Sequence, residues 1–199
     1  MNVSQPIQGV PPGLEYLTMI DRIVVHQLIE LREIVLNYQT RNKYVLLNAN
    51  GEQVYYAFEE SSLCMRCWCD MHRSFTMHIV DNFGKEVLRV TRPFKCCGGG
   101  CYGCFACIDC CTYECSVEAP PGNVIGSVVQ RQACCASSFD VKNEGDQIIL
   151  SIDGPFIACG RNVEFPIRTP SGASVGDITK KWRGLLRELV TNADTFSVS

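Results

Sequence analysis

The chain has 199 residues, of which 46% are hydrophobic and 20% charged, and its net charge is −3. Those values allow a sizeable core and exclude a chain that is disordered throughout. They also exclude a surface built as one positive field, so nucleic acid is not an expected partner.

Residues 1–13 read as an unstructured lead ending in Pro11-Pro12-Gly13, and one domain is expected over 14–199. The lead lacks the basic and apolar stretches of a secretory signal. No apolar run approaches the roughly 18 to 20 residues that carry a helix across a bilayer. A helical turn is expected over 14–21, followed by a strand over 23–29, where Ile and Val dominate. Strands over 43–48 and 53–58 flank Ala49-Asn50-Gly51, and Asn-Gly is a strong hairpin signal. Further hairpins follow. Segments 75–80 and 86–91 flank Asp81-Asn82-Phe83-Gly84, and 113–118 and 124–130 flank Ala119-Pro120-Pro121-Gly122-Asn123. Segments 139–142 and 147–152 flank Asn143-Glu144-Gly145-Asp146, and 163–168 and 175–178 lie around Thr169-Pro170-Ser171-Gly172. Only 181–192 has helical spacing, weakened by Gly184. The fold class is therefore mainly β, an antiparallel meander of about twelve strands that curls or closes into a barrel.

Fourteen cysteines fall in clusters: Cys64, Cys67 and Cys69; Cys96 to Cys115; Cys134 and Cys135; and Cys159 alone. A core-forming domain without a secretory signal does not need a disulfide framework, so the compartment reads as reducing. Three uses of the central cluster are open. Cys101, Cys104, Cys107 and Cys110 are each separated by two residues, which suits zinc or an iron–sulfur cluster, with Cys64 and Cys67 as a second zinc knuckle. Alternatively, Cys96, Cys97, Cys101, Cys104, Cys107, Cys110 and Cys111 carry fatty acyl chains, two or more of which make a stable anchor. Tyr102, Phe105 and Ile108 would then wet the interface, and Arg89, Arg92 and Lys95 would favour an anionic leaflet. Thirdly, the thiols pack as small apolar residues, the favoured reading for Cys159.

Several segments together resemble the phospholipid scramblases. They are Pro12-Gly13-Leu14-Glu15-Tyr16-Leu17, Asn42-Lys43-Tyr44, Asp81-Asn82-Phe83-Gly84-Lys85-Glu86-Val87, Arg92-Pro93-Phe94, Ala119-Pro120-Pro121-Gly122, and Lys181-Trp182 through Asn192-Ala193-Asp194. The resemblance implies a Tubby-like closed β-barrel around a central hydrophobic helix. It implies calcium-dependent movement of phospholipids between leaflets, without covalent chemistry, so no enzyme is expected. It also implies palmitoylation within the segment matching Cys96 to Cys111. The expected location is the cytoplasmic face of the plasma membrane or an internal membrane. A nuclear pool would follow from the basic segment over 176–185, where Lys180, Lys181 and Arg183 are interrupted by Asp177. The family's calcium segment matches Asn192, Asp194, Thr195 and Ser197, of which only Asp194 is a carboxylate, so calcium binding there is expected to be weak. A frayed terminus is the plain reading of the same residues. The apolar helix and proline-rich lead that flank this region in the family are not expected in the chain. The alternative function is an acyl-anchored lipid- or protein-binding adaptor with no transport of its own, and protein partners belong to that reading.

No enzymatic constellation stands out. His26 and His78 lie in strand patterns and read as packing or edge residues, while His72 is a loop histidine that would complete a zinc site with Cys64 and Cys67. Trp68 and Trp182 read as core residues or interfacial anchors.

Overall fold

The segments between turn signals are rich in Val, Ile, Tyr and Phe, which suit a pleated, half-buried surface. Each becomes a strand in the computed structural model of the chain. The structure describes residues 7–28, 42–61, 72–95, 111–133, 136–155, 162–181 and 194–199. A short 3-10 helix, Glu15–Met19, precedes β1 (Ile23–Leu28), β2 (Lys43–Leu47), β3 (Gln53–Glu60), β4 (Phe75–Asp81), β5 (Glu86–Arg92) and β6 (Glu114–Glu118). Then come β7 (Val124–Arg131), β8 (Ser138–Asn143), β9 (Ile148–Asp153), β10 (Val163–Arg168), β11 (Ser174–Lys180) and β12 (Thr195–Val198). Every strand pairs antiparallel with its neighbours in sequence, and β12 pairs with β1, so twelve strands form the closed barrel that was expected. Closure removes both sheet edges.

The tail, read as a calcium segment or a frayed end, is the twelfth strand. Its register is Ile23↔Val198 and His26↔Thr195 on one side, and Ile178↔Val198 and Lys180↔Phe196 on the other. Four residues with two bulky apolar positions, Phe196 and Val198, give too short a pattern to recognise without the partners that flank it. The helical spacing over 182–192 falls outside the described residues, as does any central helix.

Side chains alternate between two faces, and the pairing carries each face round the barrel. Ile79, Val90, Val117, Val141, Ile152 and Ile178 share the face of Tyr55, Ala57 and Glu59, which are only 3%, 4% and 1% exposed. That face is the interior. Lys43, Glu60, His78, Arg89, Asp140 and Asp177 lie on the other face, towards solvent.

The barrel has two unlike ends. At one, tight connections join β2 to β3, β4 to β5, β6 to β7, β8 to β9 and β10 to β11. Asn48, Asp81, Asn143 and Thr169 each open a turn by accepting, through a side-chain oxygen, a backbone N–H four residues on, at 2.9 to 3.2 Å. Short polar side chains that bond their own backbone are what favours such turns. Inside this end, Leu14, Tyr55, Val87 and Ala119 form a buried cluster, joined by Val10 and Leu17. Val10 and Gly13 thus lie against the core, although residues 1–13 read as a lead. Gly13 has φ +93 and leaves no room for a Cβ against Val87. The Tyr55 hydroxyl donates to the Gly13 carbonyl at 2.8 Å.

At the other end the strands lead into and out of the longer connecting sequences, 29–42, 61–74, 93–113, 132–137, 154–162 and 181–194, most of whose residues lie outside the described ones. Their sequences hold every cysteine except Cys115, which lies in β6.

Candidate functional site

The interior of the barrel is apolar until it reaches the end with the long connections. There the alternation of β3, Tyr55-Ala57-Glu59, puts a carboxylate inside. An isolated charge in such a place is costly and must be paired. Arg73, just ahead of β4, donates from Nε to Glu59 Oε1 at 3.0 Å and from Nη2 to Oε2 at 2.9 Å. Asn42 Nδ2 donates to Oε2 at 2.5 Å. Burial pushes the Glu59 carboxyl upward, but the bonds from Arg73, Ser61 and Asn42 outweigh it and hold the group below its ordinary value of 4.5. Glu59 is therefore ionised at neutral pH.

The network continues along the inner face. Gln27 on β1 donates to Asn42 Oδ1 at 3.0 Å and accepts the Asp194 N–H at 3.3 Å. On the other side, Arg92 donates to the Arg73 carbonyl at 2.9 Å. The Arg92 guanidinium lies 4.5 Å from the centre of the Phe75 ring and 5.1 Å from that of Tyr113, so two rings stabilise its charge. Burial lowers the Arg92 pKa from its usual range, and burial likewise raises that of Cys115 on β6. Gln130, 5% exposed, completes the arc by accepting the Tyr113 N–H at 3.4 Å. The result is a polar belt of one carboxylate, two guanidiniums and several amides, with the Lys180–Asp194 pair on the same face beside Gln27. Such a belt offers donors and a net positive charge to an anionic oxygen while tolerating apolar chains beside it.

Sequence reasoning missed this belt, though two signals were present. Glu59 occupies the same parity as Tyr55 and Ala57, an inward charge that calls for a partner. Arg89 and Arg92 are three apart on one strand, so they face opposite ways. Both had been read as basic residues for an anionic leaflet. Instead, Arg92 is turned inside, and Arg89 is bonded on the outer face to Glu86 at 2.8 and 2.9 Å.

Of the seven cysteines expected to carry acyl chains, Cys96, Cys97, Cys101, Cys104, Cys107 and Cys110 lie outside the described residues. Cys111 is 8% exposed and packs as buried thiols commonly do. Cys64, Cys67, Cys69, Cys159, Trp68 and Trp182 are also outside. His72 is placed, and its Nδ1 is buried without a hydrogen-bond partner among the described residues. His26 bonds Thr195 through Nδ1 at 2.9 Å, and His78 lies between Glu86 and Glu60 at 2.7 and 3.0 Å.

Among the candidate calcium ligands, Asn192 is outside the described residues. The Asp194 carboxylate is paired with Lys180 at 2.9 Å. Thr195 and Ser197, each 8% exposed, sit in strand β12. Among the described residues, no three carboxylate, histidine or cysteine groups converge as a metal site. No helix of the described residues is long and apolar enough to cross a membrane.

The family model described as Scramblase matches residues 1–199, the whole chain. The chain is 40% identical to phospholipid scramblase 1 of Homo sapiens, covering 100% of this chain and 61% of that protein. It is 38% identical to phospholipid scramblase 2 of Bos taurus, covering 100% of this chain and 66% of that one. It is 37% identical to phospholipid scramblase family member 5 of Homo sapiens, covering 97% and 70% respectively. The chain thus spans less than two thirds of the length of the first two relatives. No solved structure matches it. A match along all 199 residues, with relatives about 40% identical over the full chain, places the chain in the Scramblase family.

Proposed function

We propose that the chain acts on phospholipids at the cytoplasmic face of a membrane, contributing to their movement between leaflets without covalent chemistry. The observation that carries this reading is the family match over the full chain. A physical argument supports it. Moving a charged or zwitterionic headgroup past hydrocarbon is costly unless polar partners accompany it, and the belt of Glu59, Arg73 and Arg92 is a polar lining beside apolar walls. In this reading, the end with the long connections faces the membrane. Acyl chains on Cys96, Cys97, Cys101, Cys104, Cys107 and Cys110 hold it there, since β5 ends and β6 begins at that end.

Calcium belongs to the reading through Asp194. The Lys180 ammonium already neutralises that carboxylate, so an incoming cation must displace it. Replacing Lys180 with Met is expected to strengthen any calcium response.

The test is a transport assay on the purified chain in liposomes carrying a fluorescent phospholipid and exposed to a membrane-impermeant quencher. The proposal expects quenching beyond half of the label, slowed by Arg92→Met in a variant that remains folded. If quenching stops at the outer leaflet with and without calcium, transport is withdrawn and an acyl-anchored adaptor remains.

A further inference from the structure

At the opposite end of the barrel, a cleft of about 500 Å³ opens between the 3-10 helix, the β2–β3 turn and the β4–β5 turn. Its volume lies in the range of small-molecule sites. Three carboxylates and three aromatic rings line it: Glu15, Glu52 and Asp81, with Tyr16, Tyr55 and Phe83. None of its lining residues is a lysine or arginine.

Each carboxylate has one oxygen engaged in local structure. Glu15 Oε2 accepts the Gly13 N–H at 2.8 Å, Glu52 Oε2 accepts from Asn48 Nδ2 at 2.7 Å, and Asp81 Oδ1 accepts from Phe83 and Lys85 N–H groups at 2.9 Å. The second oxygen of each accepts from no protein donor among the described residues. These bonds fix the carboxylates in place, so the negative field in the cleft is preorganised. The Tyr55 hydroxyl reports that field: burial first, then the charges of Glu15 and Asp81, push its pKa up to about 12.

The aromatic groups are held differently. Asn48, 5% exposed, donates to the Tyr16 hydroxyl at 3.0 Å and so links that ring to the β2–β3 turn. Phe83 sits at the tip of the β4–β5 turn with 83% of its surface exposed. Folding gains little from such a side chain, and a polar residue would serve the turn as well. Rings beside fixed carboxylates are the combination that holds alkylated ammonium ions: the ring faces attract the cation, their carbon surface covers its methyl groups, and the carboxylates balance its charge.

We propose that this cleft binds an organic ammonium cation of the quaternary type, with Phe83 closing over it and Glu52 and Asp81 supplying the counter-charge. The same chemistry is offered by the choline headgroup of a phospholipid and by a free soluble cation. The proposal does not depend on transport activity. A chain held to a bilayer by its cysteine-bearing end would turn this cleft away from that bilayer, which favours a ligand arriving from water.

The experiment is a calorimetric or NMR titration of the full chain with tetramethylammonium chloride, against sodium chloride at equal ionic strength. Saturable binding is expected, with chemical-shift changes confined to Tyr16, Tyr55 and the 81–85 turn. Phe83→Leu, which keeps an apolar group but removes the ring face, should weaken it about threefold, and Glu52→Gln by a similar factor. Phe83→Trp should tighten it. Phe83 is exposed and Glu52→Gln keeps an oxygen to accept from Asn48, so these variants are expected to fold as the parent does, and a thermal melt verifies this. Parallel titrations with choline and with dibutyroylphosphatidylcholine identify the source. Tighter binding of the lipid assigns a headgroup, and equal or tighter binding of choline assigns a soluble cation. No saturation by tetramethylammonium up to tens of millimolar would overturn the proposal. So would binding that Phe83→Leu and Glu52→Gln both leave unchanged.

Discussion

The two ends of the barrel carry their polar groups for opposite purposes. At the end with the tight turns, Asn48, Asp81, Asn143 and Thr169 spend side-chain oxygens on backbone N–H groups within four residues, so each turn is closed by its own sequence. At the end with the long connections, Glu59, Arg73, Asn42, Gln27 and Arg92 satisfy one another across five strand-bearing segments, and none closes a turn. Local bonding stabilises a shape, whereas a long-range polar network holds charge inside an apolar wall, with Glu59 only 1% exposed. The polar belt thus lies inside one end, while the other end holds the buried cluster of Leu14, Tyr55, Val87 and Ala119 and, outside it, the cleft beside the turns.

The comparison is sharpest at the Glu59–Arg73 pair. Arg73→Ala leaves a carboxylate that is 1% exposed without its guanidinium, and should cost about 3 to 5 kcal/mol in chemical denaturation. The same pair sets an acid limit. Because the folded Glu59 pKa is depressed, its contribution is fully present above the ordinary value of 4.5 and is lost as pH falls through the depressed value. Melts across that window should show a larger loss in the parent than in Glu59→Gln, which keeps the depressed carboxyls of Glu86 and Asp177. If Arg73→Ala melts like the parent, the belt is not a coupled network.

Next in size is Gly13→Ala, at the other end. Positive φ and the contact with Val87 should together cost about 2 kcal/mol, read from the midpoint of a urea transition. Asp81→Ala, which removes the acceptor for two turn N–H groups, is expected to cost about 1 kcal/mol. Smallest is Phe83→Ala, with a shift in stability within about 0.5 kcal/mol, as suits an exposed side chain. A large loss there would make Phe83 a structural residue and remove its reason for exposure.

The same contrast explains what could be read in advance. Five hairpins, among them those around Asn50-Gly51 and Asp81-Asn82-Phe83-Gly84, were legible because their chemistry is local; they account for ten strands, and the Ile and Val content of β1 for an eleventh. Strand β12 was not, because Thr195 to Val198 owes its extended form to β1 and β11 rather than to its own residues. The polar belt was hidden for the same reason. Arg73 precedes β4 and Arg92 ends β5, and only the register of β3, β4 and β5 brings Arg73 to Glu59 and Arg92 to the Arg73 carbonyl. Several segments that carry the family resemblance turn out to be structural. Leu14, Val87 and Ala119 come from three of them and meet in one buried cluster.

The proposed function puts the end with the long connections at the membrane. The most direct test is peptide mass analysis of the full chain from the membrane fraction of eukaryotic cells, before and after hydroxylamine, which cleaves thioesters. Fatty-acyl mass is expected on peptides covering Cys96 to Cys110, removed by hydroxylamine, with the buried Cys111 unmodified. A membrane-bound chain with no thioester-linked mass in that segment would contradict it.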